Sequence, residues 1–153
     1  MAKVPSIRQV FFYRAPPSRV FAALTEPSEL AKWFPEEAEV ELEKGGKFRL
    51  RFAGGFEMRG KVKKAKAPTR LSVNWIDRLE KGKTFKTSAE FRLEAKNGGT
   101  LLTLNHTGFG SGKAWVYLYG AIQSGWAYYL TNLRSVLEHS TDLRSEHDAV
   151  SGT

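Results

Sequence analysis

Apolar residues follow a helical repeat over one long stretch near the end of the chain. Between Trp115 and Leu137 they recur every three or four residues, as on one face of an α-helix. The stripe consists of Trp115, Leu118, Tyr119, Ile122, Trp126, Tyr129, Leu130, Leu133, Val136 and Leu137. Its first half carries large rings with the polar Gln123 beside them, and its second half carries compact Leu and Val. Large rings are typical of cavity walls, and aliphatic residues are typical of a closed core. The pattern therefore predicts a cavity along the first half of the helix.

Upstream of this helix, apolar and polar residues alternate as in β-strands. Glycine-containing turns separate the alternating segments at intervals that suit hairpins rather than helical crossovers. The pattern predicts strands at about 7–13, 36–43, 47–53, 56–66, 70–78, 84–95 and 100–109. Two short helices are predicted after the first strand, around Val20, Phe21 and Leu24 and around Leu30, Trp33 and Phe34. The predicted fold class is α+β, an antiparallel meander of about six to seven strands packed against one long C-terminal helix.

The composition limits the classes of function. At 153 residues the chain is expected to form one domain, 1–138, with a polar tail, 139–153, that we expect to be disordered. The sequence has no cysteine, which excludes thiol catalysis, disulfides and cysteine-ligated zinc and fits a reducing cytoplasm. No segment approaches the ~20 apolar residues of a membrane span, and the N-terminus has no apolar run. We therefore expect a cytoplasmic protein without membrane insertion.

The chain is strongly basic, with 24 Lys and Arg against 16 Asp and Glu and a formal net charge of +8. Such a balance raises the question of a polyanionic partner. Lys47, Arg49 and Arg51 alternate with apolar residues, as on the solvated face of a half-buried sheet. The aromatic residues lie on the opposite side of these strands, so stacking and charge do not converge on one surface. We expect no specific nucleic-acid partner.

Four segments of the chain resemble a known superfamily. They are APPSRVFAALT at 15–25, LAKWF at 30–34, GTLLTLNHTGF at 99–109, and Gly125-Trp126 followed by Leu130 and Leu133. Together they resemble the START-like superfamily (SRPBCC, or helix-grip), and within it the branch named after the activator of the heat-shock protein 90 ATPase. The resemblance spans about 11–137 and implies a curved sheet wrapped around the C-terminal helix. It also implies a deep apolar cavity between sheet and helix for hydrophobic small molecules, and it supplies no catalytic residue.

The implied cavity selects a set of candidate ligand-binding residues. They come from the two short helices predicted between the first two strands (the helical insertion), from the strands and from the long helix. They are Trp33, Phe34, Phe56, Met58, Trp75, Phe91, His106, Trp115, Tyr119, Ile122 and Trp126. A ligand enclosed by them gains about 25 cal/mol for each Å² of apolar surface buried, so no charged anchor is required. The alternative interpretation is that these side chains fill the space themselves.

His106 is the candidate for acid-base chemistry. It lies on the same face of its strand as two inward leucines, and we expect it near Trp126. There it either donates a hydrogen bond to a ligand or acts as an acid or base, or it is a structural residue whose hydrogen bonds are satisfied within the protein. A general base needs an orienting partner. The candidate carboxylates are Glu57, Asp77 and Glu90, and we expect them on the face of their strands opposite to the inward aromatic residues. Most of them are therefore expected to face water. The sequence has no metal-ligand spacing, Ser-His-Asp grouping or nucleotide-binding loop, so we expect no metal, cofactor or catalytic residue.

The favoured interpretation is a monomeric or weakly dimeric domain that binds a lipid-like or aromatic molecule without catalysis. Two alternatives stay open. The first is a protein-binding module for a chaperone, related to the heat-shock protein 90 ATPase activator, that uses the basic face or the helical insertion. The second is an enzyme of the cyclase or aromatase kind, which needs a pair of polar residues inside the cavity.

Overall fold

The computed structural model describes residues 3–78 and 82–144, which form seven strands and three α-helices. Strand β1 (Ile7–Tyr13) leads into helices α1 (Pro17–Thr25) and α2 (Pro27–Leu30). The meander follows as β2 (Glu37–Val40), β3 (Lys47–Arg51), β4 (Glu57–Lys66), β5 (Arg70–Arg78), β6 (Thr84–Lys96) and β7 (Gly99–Thr107), with a short 3-10 helix (Ala53–Gly55) before β4. The long helix α3 (Lys113–His139) comes next. This order confirms the predicted α+β class.

The seven strands form one antiparallel sheet in the order β1-β7-β6-β5-β4-β3-β2. Only β1 leaves the sequential order, because it pairs with β7 and occupies the edge opposite β2. Buried and exposed side chains alternate along β6, as the two-residue repeat of its sequence predicts. The register places Trp75 of β5 opposite Thr87, and Ala89 opposite His106 of β7. These three strands therefore present one continuous inner face.

Helix α3 packs against this inner face of the curved sheet. Its buried residues Trp126, Leu130 and Leu133 belong to one apolar core together with residues of every strand from β3 to β7 and of both short helices. The helix is two residues longer at each end than the apolar stripe, because its terminal residues are polar or small. No helix in the described ranges is both long and apolar enough to cross a membrane.

The segment after α3 folds back onto the helical insertion. The carboxylate of Asp142 accepts a hydrogen bond from Asn132 Nδ2 at 3.0 Å and pairs with Arg144 at 2.9 Å. The guanidinium of Arg144 donates to the backbone carbonyl oxygens of Ala31 and Phe34, at 2.7 and 2.9 Å. The described part of the predicted disordered tail is thus anchored by charge-assisted hydrogen bonds. Residues 145–153 lie outside the described residues.

Candidate functional site

An apolar cavity of about 550 Å³ lies between α3, the connection from β3 to β4 and the end of β5. Its mouth carries Phe56 and Tyr117, which are 42% and 68% exposed. The lining consists of Phe34, Phe52, Ala53, Phe56, Trp75, Asp77, Arg78, Tyr117, Leu118, Ala121, Ile122, Gly125, Trp126 and Tyr129. The cavity therefore opens to solvent between aromatic side chains and is lined mainly by rings and small apolar groups.

The floor of the cavity is a cluster of rings centred on Phe34. The Phe34 ring stacks on Trp33 with centroids 4.9 Å apart, and it meets Tyr129 and Phe52 edge-on at 4.8 and 5.2 Å. Trp126 lies 5.2 Å from the same ring at a tilt. Edge-to-face and stacked pairs fix ring orientation, so this floor is preformed.

The opening between these rings follows from a row of residues on α3. Tyr117, Ala121, Gly125 and Tyr129 are spaced by four, which places them on one face of the helix. The two middle members are the smallest of the row, and a Cβ atom added at Gly125 would meet no atom within 4 Å. These small side chains therefore leave space between helix and sheet unfilled.

His106 lies behind Trp126 and has no exposed surface. The indole N–H of Trp126 donates to His106 Nδ1 at 3.0 Å, and His106 Nε2 is 2.6 Å from the hydroxyl oxygen of Thr87. Because an indole N–H can only donate, Nδ1 is the acceptor and the ring proton is on Nε2, which donates to Thr87. The Thr87 hydroxyl donates in turn to the carbonyl oxygen of Trp75 at 3.3 Å. The chain of hydrogen bonds leaves neither ring nitrogen free.

This environment removes His106 from acid-base chemistry at neutral pH. Burial lowers the pKa of its imidazole to about 3, so the ring is neutral. The side chain does not reach the cavity, since Trp126 stands between. Its hydrogen-bond partners are Trp126 and Thr87, so the imidazole is a satisfied structural group.

The prediction for Asp77 is wrong. Asp77 is 4% exposed and lines the cavity, whereas it was expected to face water. It lies two residues after Trp75 in β5, and residues two apart in a strand share a face. Its Oδ2 atom is buried without a hydrogen-bond partner among the described residues. Burial raises the pKa of the carboxyl group to about 6, although the Trp75 indole N–H acts to lower it.

The other two carboxylates lie outside the cavity, as expected. Glu57 is exposed and pairs with Arg59 at 3.1 Å. Glu90 is half-buried and pairs with Arg70 at 2.6 Å on the outer face of the sheet. Asp77 is thus the one carboxylate of the described chain that lines this cavity.

The cavity brings together five of the predicted ligand-binding residues, and the other six lie elsewhere. The five are Phe34, Phe56, Trp75, Ile122 and Trp126. Of the rest, Trp33 lies behind the floor and donates its indole N–H to the carbonyl oxygen of Ala23 at 2.9 Å. Met58, Phe91 and His106 are buried in the core without reaching the opening.

The remaining two, Trp115 and Tyr119, pack at the start of α3 instead. The Trp115 ring meets Phe85 edge-on at 4.8 Å, and Tyr119 meets Phe109 at 5.5 Å. Gly110 admits the Trp115 indole, because a Cβ atom there would lie 2.6 Å from Nε1. These contacts close this end of the interface between helix and sheet.

Sequence reasoning missed the residues that make the cavity open and polar. Tyr129 stood in the apolar stripe, but its role was not assigned. Ala121 and Gly125 carry no large side chain, and only their spacing of four from Tyr117 indicates a groove. For Asp77 the sequence did indicate the inner face, because Asp77 follows Trp75 by two residues in the same strand. The described residues contain no group of three metal-ligating side chains.

Comparison with known proteins agrees with this architecture. Residues 14–138 match the sequence model of the family described as Activator of Hsp90 ATPase homolog 1-like protein. No curated protein matches the chain by sequence.

Several solved structures share the fold. The Aha1 dimer from Colwellia psychrerythraea is 22% identical, with a TM-score of 0.74 over 89% of this chain and 98% of that one. CalU16 from Micromonospora echinospora is 27% identical, with a TM-score of 0.70 over 91% and 83%. An HSP90 activator from Plasmodium falciparum is 24% identical, with a TM-score of 0.71 over 86% and 95%.

Proposed function

Because the chain belongs to the Activator of Hsp90 ATPase homolog 1-like family and has an open apolar cavity under α3, we propose that it binds a hydrophobic small molecule there. The ligand is lipid-like or aromatic, and binding is non-catalytic. The observation that carries this proposal is the small pair Ala121 and Gly125 between two tyrosines, above a floor of rings. A cavity of about 550 Å³ lies within the range of about 300–1,000 Å³ common for small-molecule sites.

The lining favours apolar contact as the source of affinity. Each Å² of apolar surface buried stabilises a complex by about 25 cal/mol, and rings already fixed by their neighbours lose little freedom when the ligand enters. A binder of this kind needs no polar pair for catalysis. Within residues 3–78 and 82–144, the lining offers one carboxylate and no histidine.

Filling the cavity tests the proposal. Gly125→Leu places a branched side chain in the opening, whereas Gly120→Leu adds the same group to an exposed position of α3 where a Cβ meets nothing within 4 Å. The probe is the uncharged fluorophore N-phenylnaphthylamine, titrated against the wild type and both variants. We expect Gly125→Leu to weaken binding at least about tenfold and Gly120→Leu to leave it unchanged.

Two results would contradict the proposal: no binding to the wild type, or equal binding to the two variants. Native mass spectrometry of freshly purified wild-type protein provides a second readout. A co-purifying apolar molecule, lost in Gly125→Leu and kept in Gly120→Leu, identifies the natural ligand class.

A chaperone-type protein partner is the second candidate, and the outer face of the sheet favours it. Lys47 of β3 lies directly opposite Lys61 of β4, and Arg49 lies opposite Arg59. Like charges in facing positions destabilise a sheet. The side chains of Lys47, Arg49 and Lys61 form no ion pair with any described residue. An acidic surface docked on this face would relieve the repulsion.

The second candidate predicts charge-dependent binding to an Hsp90-type ATPase. The test is a pull-down of the purified chaperone by the wild type, by Arg49→Glu with Lys61→Glu, and by Lys3→Glu with Lys113→Glu as a control with the same change of charge at exposed positions outside β3 and β4. We expect only the variant with Arg49→Glu and Lys61→Glu to lose binding, and we expect wild-type binding to weaken with added salt. Retention of the chaperone by that variant would exclude this face.

A further inference from the structure

The cavity contains one buried carboxylate whose hydrogen-bonding capacity is only partly used, since the Trp75 indole N–H is the donor that acts on it. Asp77 is 4% exposed, and its Oδ2 has no partner among the described residues. A buried carboxylate oxygen without a donor costs free energy, and the cost is larger when the group is charged. A purely apolar ligand would leave this cost in place and seal the carboxylate from water.

The surroundings of Asp77 leave room for a donor from a ligand. The other ionisable side chains of the lining are Arg78, Tyr117 and Tyr129. Arg78 is exposed and forms no ion pair with Asp77. Phe85 of β6 lies directly opposite Asp77 in the sheet, and Leu118 of α3 also lines the cavity. No described side chain of the lining therefore neutralises the charge of the Asp77 carboxylate.

We infer that the cavity selects ligands with an apolar body and a single hydrogen-bond donor, preferably a protonated amine, that binds the Asp77 carboxylate. This inference rests on the proposed function and adds the polar specificity of the same site. The Asp77 carboxylate accepts two hydrogen bonds or more when ionised, and an ammonium group supplies both the donors and the opposite charge.

The aromatic lining favours the same ligand chemistry. The rings of Trp75 and Trp126 lie 5.0 Å apart in the wall next to Asp77. The faces of aromatic rings attract cations, most strongly where water is excluded. A ligand carboxylate or phosphate would instead meet the negative faces of these rings and the like charge of Asp77. Beside Asp77 the site therefore discriminates against anions, whereas Arg78, the one basic side chain of the described lining, is exposed to solvent.

Burial also predicts how the selectivity depends on pH. It raises the pKa of Asp77 to about 6, so the group is ionised at neutral pH and becomes protonated in mildly acidic solution. A protonated Asp77 has lost its charge, so its preference for a cation declines. An amine that stays protonated throughout should thus bind more weakly at about pH 5 than at about pH 7.5.

Three probes with the same naphthylmethyl body and different polar groups test the inference. Naphthylmethylamine, naphthylmethanol and naphthylacetic acid share one apolar body and differ in carrying a cationic donor, a neutral donor or an anion. Isothermal titration calorimetry with the wild type should rank them amine, alcohol, acid, with about tenfold between amine and alcohol at about pH 7.5. Asp77→Asn should bring amine and alcohol to equal affinity and abolish the pH dependence of the amine.

Glu57→Gln is the matched control, because it removes a carboxylate next to the cavity mouth but on the outer face of β4. It should keep the wild-type ranking. Equal binding of all three probes to the wild type, or an unchanged ranking in Asp77→Asn, overturns the inference and leaves the proposed function standing. Binding of none of the probes overturns both.

Discussion

The indole N–H of Trp126 donates to Nδ1 of His106 at 3.0 Å, and this bond ties the wall of the cavity to the sheet behind it. Trp126 is 3% exposed, although it lines the cavity, since the ring is held from behind by His106 and from the sides by other rings. The imidazole is fixed in turn by Thr87. One chain of hydrogen bonds therefore positions a cavity-lining ring from a fully buried strand residue.

Removing the donor of this bond should destabilise the fold. Trp126→Phe keeps an aromatic ring but leaves His106 Nδ1 buried without a partner, for which we expect a loss of about 1–3 kcal/mol in the free energy of unfolding. Urea denaturation at neutral pH measures the loss. Trp115→Phe is the control, because the contacts of that ring are with Phe85 and Phe109. An equal cost for the two variants would mean that the hydrogen bond contributes nothing.

His106 should make the protein sensitive to acid. The pKa of His106 is about 3 in the folded chain, against 6.5 in the unfolded chain. Between about pH 3 and pH 6.5 the imidazole is therefore protonated in the unfolded chain and neutral in the native state. Stability contributed by the neutral imidazole is therefore complete above about pH 6.5 and is lost as pH falls toward 3. The slope approaches about 1.4 kcal/mol for each pH unit.

Comparison of His106→Gln with the wild type checks this slope. The variant is expected to be less stable at neutral pH, because a glutamine amide cannot reproduce both imidazole hydrogen bonds. The difference between the two proteins should shrink as pH falls from about 6.5 to about 4, and a constant difference would contradict the assignment. Urea unfolding at several pH values measures it.

Asp77 should act with the opposite sign. Its folded pKa of about 6 lies above the unfolded value of 3.8, so the unfolded chain releases the proton first as pH rises. The carboxyl group thus costs stability above pH 3.8, up to about 3 kcal/mol at neutral pH by the size of the shift. Asp77→Asn should raise the melting temperature at about pH 7.5 and have little effect at about pH 4. A lower melting temperature at neutral pH would show that the carboxylate is stabilised by a partner.

The sequence predicted the strands and the helix well because their periodicities are strong. The bounds of β1 and β5 were predicted to the residue, and the long helix was placed within two residues of either end. The face of α3 was also predictable. The position of a side chain along that face was not predictable. Trp115 and Trp126 share one side of the helix, but they are eleven residues apart, which is about three helical turns or 16 Å. Periodicity gives the face of a side chain and no measure of how far along the sheet it lies.

The opening of the cavity was hidden from the sequence for a different reason. Patterns of large apolar residues predict what is buried, whereas a cavity depends on where volume is missing. Ala121 and Gly125 supply that missing volume, and neither carries a chemical signature of binding. Asp77 was predictable from the alternation of β5, and the error came from assigning it the parity opposite to that of Trp75. Its lack of a partner became visible only in three dimensions.

Arg144 should control both stability and the cavity floor. Its guanidinium donates to the carbonyl oxygens of Ala31, Phe34 and Pro35 and pairs with Asp142. Arg144→Ala would leave carbonyl groups at the end of the helical insertion without these donors and would free the backbone of Phe34. We expect a loss of about 1–3 kcal/mol in the free energy of unfolding, together with weaker binding of N-phenylnaphthylamine.

Arg144→Lys separates charge from geometry in this contact. A lysine keeps the charge, but its single ammonium group cannot span three carbonyl oxygens as the planar guanidinium does, so it should recover only part of the lost stability. Arg8→Ala, at an exposed position of β1, is the matched control and should leave both stability and probe binding unchanged. Full recovery by Arg144→Lys would mean that charge alone holds this segment. Wild-type binding in a destabilised Arg144→Ala would show that Phe34 is held in place by its ring contacts without help from the segment after α3.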